Sequence, residues 1–304
     1  MTQSRVLLLG ANGQLGTALH VLLKSKPDAY QLYALTRAEA DLSDLGKVRH
    51  TVADLRPAII LNAAAYTAVD RAESEPELAA LINAKAPAVL AEEALRIGAL
   101  LVHYSTDYVF DGSKKTPWLE DDSPAPLSVY GSTKLAGEQA IVAHGGKHLI
   151  FRTSWVFSPR GKNFLLTILR LARERDRLTI VDDQRGAPTS AYAIAKGTEE
   201  VLARIRHSAD ESVYNRSGIY HMTCGGETSW FRFTQAILEE AADALGDRHP
   251  EVVPIHSADY PTPARRPANS VLDNRRLREE FGVALPHWRD ALQQAVAELK
   301  HFHF

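Results

Sequence analysis

Cysteine occurs once in the 304 residues, at Cys224, so no disulfide can form within the chain. That economy fits a reducing compartment, and the cytoplasm is the expected location. Lys and Arg number 35 against 37 Asp and Glu, a formal net charge of −2. Neither a nucleic acid nor a membrane is therefore expected as a partner. No run approaches the ~18 apolar residues that span a bilayer, and Met1-Thr2-Gln3-Ser4-Arg5 lacks the apolar segment of a signal peptide. Repeats and low-complexity tracts are missing too. The 12 His include no H-E-x-x-H or similar spacing, so no metal site is expected and His301 and His303 read as structural. Tyr220-His221-Met222-Thr223-Cys224 reads as a buried strand end, no setting for a nucleophilic thiol.

Within this uncommitted composition one pair stands out. Tyr130-Gly131-Ser132-Thr133-Lys134 places a phenol and an amine four residues apart, on one face of a helix. A free phenol titrates near pH ~10, and a neighbouring ammonium favours its ionised form. The upstream triplet Ser105-Thr106-Asp107 ends an apolar run and offers a hydroxyl to hold a carbonyl oxygen against the phenol. Beside a hydride donor, that is the equipment for reducing a ketone. Tyr192-Ala193-Ile194-Ala195-Lys196 repeats the spacing without such a run and reads as an ordinary helix face.

The amino-terminal segment supplies a place for the donor. Arg5-Val6-Leu7-Leu8-Leu9 reads as a buried strand, and Leu15, Leu19, Leu22 and Leu23 as a helix face. Between them Gly10-Ala11-Asn12-Gly13-Gln14-Leu15-Gly16 has the spacing G-x-x-G-x-x-G. A glycine turn leading into a helix start can cradle a pyrophosphate, although such turns join strands to helices in many folds. The strand Gln31–Leu35 ends in Thr36-Arg37, where an Arg suits an adenosine 2′-phosphate or simply lies in solvent. Asp41-Leu42 can flank the adenine. Ser43 is expected to cap a helix through Leu55, before the strand Ala58–Asn62 and the small residues Ala63-Ala64-Ala65 with Tyr66-Thr67. A long helix is expected from Pro76 to Ile97, leading into the strand Leu100–Tyr104. This alternation predicts an α/β fold, a Rossmann-type doubly wound parallel sheet with ligands beyond its carboxyl edge.

After the strand His148–Arg152 the alternation loosens. Helices are expected near Phe164–Arg175, Tyr192–Ile205, Ser229–Leu245, Asn274–Phe281 and Pro286–Lys300, with Pro-rich loops between. The expected division is a nucleotide-binding domain over 1–152 and a smaller, mainly substrate-binding lobe over 153–304, some segments of which return to the sheet. Arg265 and Arg266 can clamp a pyrophosphate or lie in solvent. Trp155 can cover a sugar ring or serve as a core or hinge residue.

The chain resembles the dTDP-4-dehydrorhamnose reductase family of the extended short-chain dehydrogenase/reductase superfamily. The resemblance runs along nearly the whole chain. It is most specific in Tyr104-Ser105-Thr106-Asp107-Tyr108-Val109-Phe110, Phe151-Arg152-Thr153-Ser154-Trp155 and Tyr260-Pro261-Thr262-Pro263. It implies reduction of the C4 ketone of dTDP-4-dehydro-L-rhamnose to dTDP-L-rhamnose, the last step of making that sugar donor. Tyr130 is then the proton donor, and Lys134 bonds the nicotinamide ribose and depresses the phenol's pKa. Thr106 bonds the substrate oxygen, with Asp107, Tyr108, Trp155 and Arg265 on the substrate side. Gly10, Asn12, Gly13, Gln14, Leu15, Gly16, Arg37, Asp41, Leu42, Ala63, Ala64, Ala65, Tyr66 and Thr67 match the cofactor side. Some relatives carry an acidic residue after the second strand and use either nicotinamide. Thr36-Arg37 departs from that and favours NADPH, with NADH as a second donor. Other relatives bridge a dimer with magnesium through glutamates where this chain has Ala18 and Tyr192, so a monomer or a dimer without magnesium is expected. Another nucleotide-sugar reductase or epimerase of this superfamily, or a catalytically silent regulatory subunit, is the alternative.

Overall fold

The computed structural model describes residues 3–207 and 216–300; His301 and His303 lie outside them. Apolar strands separated by glycine and helical patterns give a six-stranded, all-parallel sheet in the order β10-β5-β4-β3-β1-β2. Its first strands are β1 (Ser4–Leu9), β2 (Tyr30–Leu35), β3 (Ile59–Asn62), β4 (Leu100–Thr106) and β5 (His148–Thr153). Side chains alternate along β1 as a two-sided strand requires. Val6 and Leu8 join the core that covers one face, and Leu7 and Leu9 the core on the other. The chain runs outward from β1 to β2 and then returns to β3 on the opposite side. Strand order therefore reverses at the carboxyl ends of β1 and β3, the usual place for a crevice. The fold is the expected α/β Rossmann type.

The helices are α1 (Gln14–Lys24), α2 (Leu45–Leu55), α3 (Val69–Ala72), α4 (Pro76–Ala80), α5 (Ala86–Ile97) and α6 (Val129–His144). Two local expectations change. Asp44 caps α2, accepting from the Lys47 N–H at 2.9 Å, whereas the Ser43 hydroxyl turns to Asp41. The long helix from Pro76 to Ile97 contains a π-helical turn at Leu81–Lys85. Such a widened turn re-aims one side chain, here the buried Asn83. Asn83 accepts from the Tyr66 N–H at 2.9 Å and donates to the Tyr66 carbonyl at 3.0 Å, fixing the loop after β3.

Helix α6 carries the Tyr-Lys pair and is seated unusually close to its neighbours. Ser128 caps it by accepting from the Gly131 N–H. A Cβ on Gly131 would stand 2.2 Å from the Tyr108 carbonyl oxygen, and one on Gly137 2.1 Å from that of Asn83. Only glycine allows either approach. Glu138 then meets Arg152 of β5, with Nη2 and Oε2 2.7 Å apart and both side chains 2% exposed.

Beyond β5 lie β6 (Val156–Phe157), α7 (Phe164–Glu174), β7 (Arg177–Val181), β8 (Arg185–Gly186), β9 (Thr189–Ser190) and α8 (Ala191–His207). After these come β10 (Gly218–His221), β11 (Thr228–Ser229), α9 (Trp230–Glu240), α10 (Ala242–Leu245), β12 (Glu251–Ile255), α11 (Arg275–Phe281) and α12 (Trp288–Lys300). Three two-stranded pairs, β6 with β9, β7 with β12 and β8 with β11, frame a second lobe. Its core gathers Phe157, Leu165, Phe233 and Trp288. Meanwhile β10 pairs with β5 in the large sheet, and α8 packs Ile194 and Val201 into the first core. Cys224 is buried three residues past the end of β10, and burial pushes its thiol pKa up to about 12. No helix among the described residues is long and apolar enough to cross a membrane.

Replacing Glu138 by Leu strands the Arg152 charge in the interior. Loss of one partner of a buried pair typically costs about 3–5 kcal/mol. Urea unfolding of Glu138→Leu should register a loss of that order, and a change below about 1 kcal/mol would contradict it.

Candidate active site

The carboxyl ends of β1, β3, β4 and β5 line one cavity of about 800 Å³, with the second lobe as its other wall. Gly10 turns the chain out of β1 at φ 77°, and a Cβ there would meet the Ala64 nitrogen at 2.8 Å. Gly13 caps α1 without any side-chain hydrogen bond. The first N–H groups of that helix thus have no side-chain acceptor, and Gln14 and Leu15 border the cavity. Such a helix start fits a pyrophosphate. Asn12, Ala63, Ala64, Ala65 and Thr67 line the same end. Arg37, Asp41 and Leu42 extend it, with the Arg37 Nε donating to Asp41 Oδ2 at 3.0 Å.

Thr106 closes β4, and its hydroxyl donates to Asp107 Oδ1 at 2.9 Å. Tyr130 reaches the cavity from α6, its ring meeting that of Tyr108 edge-on at 5.6 Å. Lys134 is 1% exposed. Its Nζ donates to the Tyr104 carbonyl at 2.7 Å and lies 3.0 Å from His103 Nε2. Two weakly suggestive motifs, a glycine turn and a Tyr-Lys pair, are therefore parts of one site.

Burial governs the site's proton affinities. It pushes the Tyr130 phenol up to about 12, against the pull of the Thr106 hydroxyl and together with the nearby Asp107 carboxylate. It pulls Lys134 down to about 8, against the attraction of Glu138. Asp107 is pushed up to about 6 by the same loss of water, opposed by the hydroxyls of Ser270 and Thr106. The expectation that the ammonium draws the phenol's pKa down is corrected here. Loss of water around the phenol outweighs any such pull.

On the second-lobe side Trp155 lies at φ 46°, a left-handed backbone rare for a bulky residue. Its indole stacks on that of Trp230, with centroids 3.5 Å apart and planes 8° off parallel. Gly186 makes room, since a Cβ there would lie 2.4 Å from Trp155 Cε2. The hydroxyls of Ser105 and Thr153 and the Asp107 Oδ2 atom have no hydrogen-bond partner although buried at the cavity. Unpaired buried polar atoms are costly, and a polyhydroxylated ligand would satisfy them.

The family described as RmlD substrate binding domain matches residues 4–301. The dTDP-4-dehydrorhamnose reductase of Burkholderia thailandensis is 48% identical over 301 residues, covering 97% of this chain and 99% of its own. The chain belongs to the dTDP-4-dehydrorhamnose reductase family. The Escherichia coli K12 reductase is 44% identical over 97% of each chain. The structure of the Bacillus anthracis reductase in complex with NADP superposes with a TM-score of 0.89 at 34% identity, covering 97% of this chain and 99% of that one.

Three residues expected at this family's site do not border the cavity. Gly16 lies under the turn, where a Cβ would stand 2.0 Å from the Gly10 oxygen, so it serves the turn's packing. The Tyr66 phenol turns to Glu75 Oε2 at 2.5 Å. Arg265 is exposed, and its neighbour Arg266 faces the cavity instead, held by Asp70 at 2.9 Å with its Nε buried and unpaired. Sequence reasoning gave Ser105 no role of its own within its triplet and missed Thr153 and Trp230, as well as a latch across the site. Gln14 Oε1 accepts from Asn163 Nδ2 at 2.8 Å and from the Ser158 hydroxyl at 3.1 Å, tying the glycine turn to the second lobe. Among the described residues no cluster of three or more His, Cys, Asp or Glu could hold a metal ion.

Gly186→Ala should drive a methyl group into the Trp155 ring. Overpacking of this kind costs about 1–3 kcal/mol, and the exciton couplet of the stacked indoles should vanish from the circular dichroism spectrum. A couplet of wild-type intensity would show that the stack does not depend on that glycine.

Proposed function

We propose that this chain reduces the C4 ketone of dTDP-4-dehydro-L-rhamnose to dTDP-L-rhamnose, with NADPH as the favoured donor and NADH as a second one. The convergence of Thr106, Tyr130 and Lys134 on the cavity that begins at the glycine turn carries this reading. The kinship with the Burkholderia thailandensis and Escherichia coli dTDP-4-dehydrorhamnose reductases supports the substrate, and the NADP of the Bacillus anthracis structure supports the cofactor.

The bound nicotinamide supplies the hydride. Gly10, Asn12, Gly13, Gln14 and Leu15 hold its pyrophosphate through backbone N–H groups, and Ala63, Ala64, Ala65 and Thr67 admit its flat body. Asp41 and Leu42 flank the adenine. Arg37 is paired with Asp41 at an exposed site, so a 2′-phosphate can take over the guanidinium at little cost. Lys134 bonds the ribose hydroxyls with the ammonium donor that His103 and Tyr104 leave free. Tyr130, protonated at neutral pH, gives its proton to the C4 oxygen that Thr106 holds in place. Asp107, Tyr108, Ser105 and Thr153 bond sugar hydroxyls, and Trp155 covers the ring. Arg266, in place of Arg265, meets the substrate's diphosphate with its free Nε. Residues 153–304 form mainly the substrate side, with α8 and β10 returning to the large sheet and its core. The setting proposed is cytoplasmic, with no nucleic-acid partner, and the assembly is a monomer or a dimer without magnesium bridges.

Turnover of dTDP-4-dehydro-L-rhamnose with NADPH, with the product's C4 configuration determined, tests the assignment. A talose product, or turnover without net nicotinamide loss, would replace it with a different reductase or with an epimerase. No turnover at all would favour a silent subunit. Tyr130→Phe should lower kcat by about two orders of magnitude or more, in the range of general acid catalysis, with NADPH affinity within about threefold of wild type. Activity equal to wild type would remove Tyr130 from its role.

The Lys134 ammonium is present below its pKa of about 8 and lost above it. Tyr130, pushed up to about 12, keeps its proton through that range. The kcat for reduction should therefore decline as pH rises through about 8. A profile flat to pH ~10, the range of an unperturbed lysine, would contradict this.

A further inference from the structure

Two buried side chains next to Lys134, Asn62 on the cavity wall and His103 beneath it, have no part in the proposed reaction. Asn62 at the end of β3 and His103 on β4 are each 1% exposed. Asn62 Nδ2 lies 3.0 Å from His103 Nδ1, and His103 Nε2 lies 3.0 Å from the Lys134 amine. The Asn62 Oδ1 atom is buried with no partner.

Hydrogen counting makes this arrangement informative. A neutral imidazole carries one N–H, so one ring nitrogen donates and the other accepts. An ammonium has donors only. If Lys134 is charged, Nε2 must accept from it and the ring hydrogen must sit on Nδ1. That hydrogen then needs an acceptor at Asn62, which the orphaned Oδ1 provides once the amide is turned by half a revolution, an orientation assigned from the bonding network. The opposite pattern, with Nδ2 donating to Nδ1 and the ring hydrogen on Nε2, requires Lys134 to be an uncharged amine. His103 cannot relieve the conflict by taking a second proton. It is deeply buried beside a cation, and both conditions hold its pKa well below the ordinary range.

We propose that His103, oriented by Asn62, is a positioning residue that keeps Lys134 charged. By accepting one N–H it offsets part of the water lost on burial, and with the Tyr104 carbonyl it aims the remaining donor at the cavity. The titratable and charged groups around the amine are few. His103 comes from β4 and Asp107 from the segment after it. Tyr130 and Glu138 come from the lysine's own helix, and Arg152 of β5 is already bound to Glu138. Of these side chains, His103 is the one hydrogen-bonded to the amine. This inference rests on the proposed role of Lys134 and adds to it the means by which the charge survives burial.

The test joins a spectroscopic readout, which needs no turnover, to a pH profile. In 15N-histidine-labelled protein at pH ~6.5, well below the lysine's pKa, the His103 ring should carry its hydrogen on Nδ1. Its signals are assigned by their absence from His103→Gln. A ring protonated on Nε2 would overturn the proposal whether or not the protein reduces the keto-sugar. In His103→Phe the charge-assisted bond is lost. Such bonds are strong enough that the alkaline limb of kcat should move at least about one pH unit toward acid, with KM for the sugar little changed. His103→Gln keeps an acceptor oxygen and should return the limb to within about half a unit of wild type. An unmoved limb in a folded His103→Phe, or equal displacement in both variants, would refute the role. If His103→Phe does not fold, the tautomer and the Gln variant still decide.

Discussion

The buried ion pair between Arg152 and Glu138 fixes the geometry on which the site depends. Two charges removed from water are tolerated only when each satisfies the other, and here Glu138 receives both the Nε and Nη2 donors of Arg152. Arg152 belongs to β5, the strand between β4 and the edge strand β10, and Glu138 stands one helical turn beyond Lys134. The pair therefore sets both the rotation and the height of α6 against the sheet. Its guanidinium also rests on the Phe110 ring at 5.1 Å, adding the segment after Thr106 to the same anchor.

Close packing makes that anchor specific. The glycines at 131 and 137 let α6 touch the backbones at Tyr108 and Asn83. Tyr130 adjoins the first of these contacts and Lys134 lies between the two, so both are carried by a stretch of helix fixed against its neighbours. The proton affinities follow from the same tightness. A lysine pressed into the sheet loses water and with it some hold on its proton, while a phenol walled by Tyr108 and Thr106 keeps its own. A reductase needs an acid that is still protonated when the hydride arrives, and burial of the phenol provides one.

Much of this was legible in the sequence, for local reasons. Period-two and period-3.6 patterns, a glycine turn and an i, i+4 pair are properties of neighbouring residues, and the parallel sheet with its ligand edge follows from them. What escaped depends on distant partners. Arg266 faces the cavity, and not Arg265, because Asp70, nearly two hundred residues earlier, holds its guanidinium. Tyr66 leaves the site because Glu75 takes its hydroxyl. The widened turn at Asn83 has no composition signal, and the downward shift of Lys134 reflects a depth of burial that no tetrad of residues announces.

The return of β10 to the large sheet bears on how the two halves can move. Joined by a single connector, they could swivel freely. Here the polypeptide passes from the sheet into the smaller lobe after Thr153, comes back through α8 and β10, and leaves again at Met222. Several covalent crossings lying side by side act like the leaves of a door hinge. They resist twisting of one core against the other, which keeps the indole pair in place beside the carboxyl edge.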